Sequence, residues 1–188
     1  MECLYTLDIR SFDLINRLGS VAWLDPLMLM LCDPLNWIPL PLGILVWSYY
    51  RMRGQCVWLI CLSILSIALI DYAASIYLQP LIGRVRPCYN PALWPTIREL
   101  VNCGGLYAMP SIDAANSCCL AVFWYGCVRL MTGRHWRWLW VWPISACYAQ
   151  VYVGGNYPGD VLSGAALGIG IGWMMQRLFR WFALRSSP

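Results

Sequence analysis

The chain has 188 residues, 60% of them apolar, a mean hydropathy of +0.57 and a formal net charge of +4. A soluble domain of this length has too little interior for so much apolar surface, so an integral membrane protein is the direct reading, and the small charge excess does not suit a nucleic-acid binder. All 13 basic residues are arginine and the one histidine is His135, which excludes a Schiff-base lysine, a P-loop lysine and any two-histidine mechanism within the chain.

Residues 1–33 form an N-terminal segment in which Asp8, Arg10, Asp13 and Arg17 interrupt an apolar pattern. Such a mixture spans a bilayer poorly and suits an amphipathic helix lying in the interface. The Asp25–Pro26 pair breaks it. The acid at position 2 and the lack of a basic leader do not suit a cleavable signal peptide. Residues 34–183 then read as one all-α transmembrane domain, and 184–188 as a short cytoplasmic tail. Five spanning helices are predicted at about 37–50, 56–78, 111–131, 138–153 and 161–179, each near the roughly 20 residues that cross a bilayer core. Arg51 and Arg53, Arg129 to Arg137, and Arg177 to Arg185 fall on one side, which is therefore cytoplasmic. The 79–109 loop and the 153–160 turn face the periplasm, in a bacterial inner membrane.

Most of the ten cysteines lie in apolar runs as small hydrophobes. Cys88 and Cys103 instead flank a polar, proline-rich loop outside the cytoplasm. A disulfide there is permitted and is worth roughly 3 kcal/mol. Trp136, Trp138, Trp140, Trp142, Trp173 and Trp181 gather at helix ends as an aromatic belt. Gly164, Gly168 and Gly172 form a small-xxx-small ladder for close helix packing.

Three segments carry the chemistry: "QPLIGRVRP" from Gln79, "MPSIDAAN" from Met109 and "AQVYVGGNYPGDVLSG" from Ala149. Their order, spacing and flanks resemble the type 2 phosphatidic acid phosphatase family of membrane lipid phosphatases. The resemblance runs from "FDLINRLGS" to the glycine-rich last helix and implies a lipid-phosphatase-like helix bundle. It also implies a phosphohistidine nucleophile oriented by an aspartate, a second histidine as general acid, and Lys and Arg on the phosphoryl oxygens. On this chain Arg86 and Pro87, Pro110 and Ser111, and Asp160 match. Gln79 stands at the lysine position, Asp113 at the general-acid histidine, Ala149 and Gln150 at the Ser-Arg pair, and Asn156 at the nucleophile.

An amide cannot displace an alkoxide, and the exchanges remove two positive charges and add a negative one where charge stabilisation supplies much of phosphoryl-transfer catalysis. The expectation is therefore a catalytically inactive family member, serving as a structural or accessory subunit with a membrane-protein partner. The alternatives are lipid binding or translocation through the pocket, and residual lipid phosphate phosphatase activity. Arg84, Arg86, Asp113 and Asp160 form the expected head-group or ion-pair site, with Arg86 paired to Asp113 or Asp160. A cation site from Asp113, Asn156 and Asp160 and an aspartyl-phosphate route through Asp113 are weaker readings. Asp71, an intramembrane acid, is either functional or hydrogen-bonded to a neighbouring helix. Membrane lipids are the expected ligands, with no cofactor, metal or nucleic acid.

Overall fold

The computed structural model describes residues 2–102 and 104–185. The described residues are helical without a β-strand. The elements are α1 (Glu2–Asp13), α2 (Asp25–Cys32), α3 (Pro39–Met52), α4 (Cys56–Tyr72), α5 (Gln79–Ile82), α6 (Ile112–Thr132), α7 (Val141–Tyr152) and α8 (Pro158–Arg185). The π-helical turn Ala73–Leu78 joins α4 to α5, making Cys56–Ile82 one continuous rod.

Helices stand at all five predicted positions, but five spans are not what their length and composition support. Cys56–Ile82 and Ile112–Thr132 are long and apolar enough to cross a membrane. Asp25–Cys32 with Pro34–Arg51, bent by 75°, adds a third if it counts as one broken span. The physical reason is plain for α7, whose 12 residues reach only about 18 Å at 1.5 Å per residue. Helix α8 is long enough, but its arginines and glycines dilute its hydropathy.

Helices α6 and α8 form the centre. Gly164, Gly168 and Gly172 face the carbonyls of Ser111, Ala115 and Cys119, and a Cβ at any of the three would overlap them. Below this contact lies a core of Leu59, Leu62, Phe123, Trp124, Leu139 and Phe179. Helix α4 packs on the same pair, and its other face leaves Val57, Ile64 and Leu65 exposed, as a lipid-facing surface requires.

Helix α1 has two faces. Tyr5 and Leu7 point outward, as does Leu14 of the π-helical turn Leu14–Leu18 that follows, while Phe12 of α1 and Asn16 of that turn are buried. Phe12 packs on Tyr157, their rings 5.3 Å apart. Asn16 Nδ2 donates to the carbonyls of Arg98 and Tyr152, and its Oδ1 accepts from Arg98 N. The long loop is thereby fastened to α1 and α7. A bidentate Arg98–Asp25 pair ties it also to α2. Cys88 is disulfide-bonded. Cys103, its predicted partner, lies outside the described residues, as do residues 186–188 of the predicted tail.

Candidate functional site

The three motifs converge at one end of the bundle because two short backbone pairings bring them there. Val85 and Tyr107 form an isolated antiparallel bridge, with Arg86 N donating to Leu106 O and Ala108 N to Arg84 O. Ser111 N donates to Asp160 O at 3.0 Å. Ser111 also caps α6, its hydroxyl accepting from Ala114 N.

Three motif positions hold a single stretch of backbone. Gln79 Nε2 donates to Pro110 O at 3.1 Å, Arg86 Nε to Tyr107 O at 3.2 Å, and Asn156 Nδ2 to Ala108 O at 3.0 Å. An amide at position 156 thus has a firm structural partner. Arg84 is held more tightly still. It pairs with Asp160 at 2.8 Å and with Asp8 of α1, and its guanidinium lies 4.3 Å from the centre of the Tyr157 ring. Asp8 Oδ1 also accepts from Gly159 N. The other oxygen of Asp160 accepts from Tyr157 N, so this fully buried carboxylate is satisfied on both sides. Burial pushes its pKa up to about 6, with Arg84 pulling it back down.

The expected pairing of Arg86 with Asp113 or Asp160 is absent. The ion pairs among the described residues join Arg17, Arg84 and Arg98 to aspartates, and none involves Arg86. Asp160 is claimed by Arg84, which gains a second carboxylate from α1. Arg86 keeps both Nη groups without a hydrogen bond among the described residues.

Asp113 opens into a cleft between the bent α2–α3 pair, α6 and α7. Its Oδ2 accepts from Gln150 Nε2 at 2.8 Å. The charges of Arg86 and Asp71 both act on it. Asp71 accepts from Asn116 Nδ2 at 2.9 Å, which gives this intramembrane acid a neighbouring-helix partner. The weaker cation-site reading is not assembled, because Asp113, Asn156 and Asp160 are each engaged with different partners. His135 is bound to Tyr125 at 2.8 Å, a residue about 18 Å along α6 from Asp113 at 1.5 Å per residue. Sequence reasoning missed Asp8 and Tyr157 as partners of Arg84, and Asn116 as the partner of Asp71.

The PAP2 superfamily signature matches residues 57–183. The chain belongs to this superfamily. It is 29% identical over 180 residues to a lipid A 4'-phosphatase of Bacteroides thetaiotaomicron, covering 93% of this chain and 77% of that protein. It is 21% identical over 183 residues to a lipid A 4'-phosphatase of Porphyromonas gingivalis, covering 95% and 75%. Among solved structures, the PAP2-type phosphatidylglycerolphosphate phosphatase of Bacillus subtilis superposes with a TM-score of 0.74 at 17% identity, over 96% of this chain and 88% of that one. LpxE of Aquifex aeolicus superposes with a TM-score of 0.66 at 22% identity, over 91% and 95%.

This PAP2 protein is an integral membrane protein with the family's fold. The comparisons overturn the expectation of an inactive accessory subunit, since the relatives that match nearly its whole length are named as phosphatases. The physical flaw in that expectation is specific. Missing imidazoles remove one route for phosphoryl transfer, but a carboxylate also serves as nucleophile in known phosphoryl chemistry.

Proposed function

We propose that this PAP2 protein is a lipid phosphate phosphatase that acts on a phosphomonoester of a membrane glycolipid or phospholipid. The observation that carries the reading is the similarity to lipid A 4'-phosphatases across 93% of the chain. Asp113 is the group this reading places at phosphorus. One of its oxygens is oriented by Gln150, and the other is free. Attack by that oxygen forms an acyl phosphate and breaks the bond from phosphorus to the lipid oxygen, which takes a proton from solvent. Water then attacks the acyl phosphate, releasing inorganic phosphate, restoring the carboxylate and returning a proton to solvent. Arg86, with its Nη groups uncommitted, takes the phosphoryl oxygens in a bidentate manner. Arg84 and Asp160 brace the walls, and Gln79 and Asn156 fix the Tyr107–Pro110 backbone. The site faces the periplasm in this reading, with the C-terminus in the cytoplasm and Cys103 as the partner of Cys88.

Phosphate release from lipid A and from phosphatidate, with purified protein in mixed micelles, is the test. Turnover is expected from the wild-type chain, with a loss of at least 100-fold in Asp113→Asn and a smaller loss in Arg86→Gln. No release from either lipid, at a protein concentration where an LpxE control turns over fully, overturns the proposal.

A further inference from the structure

The cleft in front of Asp113 has a volume of about 260 Å³. Leu31, Trp37, Leu120 and Trp142 wall it, and its inner end is polar, made by Asp113, Asn116 and Gln150. The polar end is short of donors. Asn116 Nδ2 is committed to Asp71, a carboxylate that only accepts, which fixes the amide orientation. Asn116 Oδ1 is then a buried acceptor with no partner, an arrangement that costs free energy unless a donor arrives. Asp113 presents a second free acceptor, its other oxygen being held by Gln150. The charges point the same way. The carboxylates of Asp113 and Asp71 act on each other here, with the charge of Arg86 also reaching Asp113, a setting that favours a cationic ligand. The positive end of the α6 helix dipole is already met by Asp113 in its first turn.

We infer that this cleft binds a lipid whose head group carries a primary ammonium, donating to Asn116 Oδ1 and to the free oxygen of Asp113. Trp37 and Trp142, with ring centres 5.9 Å apart, line the approach and suit both an alkyl chain and a cation. A primary ammonium offers three donors and one positive charge, whereas a quaternary ammonium offers the charge alone. The free oxygen of Asp113 is also the one that attacks phosphorus in the phosphatase reading, so an ammonium lipid and a phosphomonoester substrate compete for one carboxylate.

The test compares an ethanolamine phospholipid with a choline phospholipid of identical chains. The full-length protein is equilibrated with an equimolar mixture, and bound lipid is read by native mass spectrometry. Wild-type protein is expected to retain the ethanolamine lipid about tenfold over the choline lipid, a preference equal to roughly 1.4 kcal/mol. Asn116→Leu and Asp113→Asn, each checked for an unchanged thermal transition, bring the ratio towards one. Equal retention by the wild-type protein overturns the inference without needing any variant, and so does a preference that survives both substitutions. Both lipids are phosphodiesters, so binding is read without turnover. An ethanolamine preference with no phosphate release from any phosphomonoester would sink the phosphatase reading and leave the ammonium site standing.

Discussion

Arg84 shows how much one side chain settles at this site. It joins Asp8 from α1, Asp160 from α8 and the ring of Tyr157. Removing its charge leaves a fully buried Asp160 without its cation. Arg84→Gln is therefore expected to lower the unfolding free energy by about 3 kcal/mol, read from thermal or denaturant unfolding in detergent. An unchanged transition would mean that water reaches Asp160. The motif residues were legible in the sequence because their spacing is fixed by the chain, and Arg86, Ser111, Asp113 and Asp160 do gather at one end of the bundle. The choice between Arg84 and Arg86 was not legible. It depends on Asp8, 76 residues earlier, and an aspartate on an amphipathic helix looks in sequence like any solvated charge.

Among the elements, the α6–α8 contact is the one that local pattern announced most clearly. Three glycines at fourfold spacing needed a backbone to approach, and α6 supplies it. Replacing Gly168 with leucine forces the helices apart at Ala115. A loss of at least 1–3 kcal/mol is expected from such overpacking, with a fall in the thermal transition and in yield from membranes. Gly170 is the internal control, because nothing lies within 4 Å of a Cβ placed there, and Gly170→Ala should cost no stability and can add up to about 1 kcal/mol through helix propensity. Spans α4 and α6 were equally legible, as unbroken apolar runs. Helix α7 was not, because the apolar run starting at Trp138 includes a turn of 3-10 helix before α7 proper begins at Val141. The disulfide belongs to this scale too. Reduction of Cys88 should lower the thermal transition by an amount matching roughly 3 kcal/mol, and peptide mapping under oxidising conditions should recover Cys88 joined to Cys103.

At the scale of the molecule, the arginine positions predict an orientation that is testable in intact cells. A single reporter cysteine placed at the exposed Asn102 is expected to react with a membrane-impermeant maleimide. One placed at the exposed Arg134 should react only after lysis. The reverse pattern would put the site on the cytoplasmic face. Helix content, helix order and the gathering of the motifs at one end of the bundle were all readable from hydropathy and spacing. Chemistry was not, because the identity of a nucleophile depends on what surrounds it in space, and the sequence lists only what is missing from the family pattern.

The contact from Asp8 to Arg84 and Gly159 N also has a meaning in time. Synthesis delivers α1 well before α8, so α1 cannot complete its final contacts until residue 159 has emerged. A chain stalled after α7 holds Arg84 without Asp160 and Phe12 without its Tyr157 ring, with the N-terminal segment moored only through Asp8 on Arg84 and Asn16 on Arg98 and Tyr152. Completion of the last helix closes all of these at once. Helix α1 thus acts as a latch that sets only once α8 is in place, and unlatched chains are the ones that a membrane protease would be expected to find first.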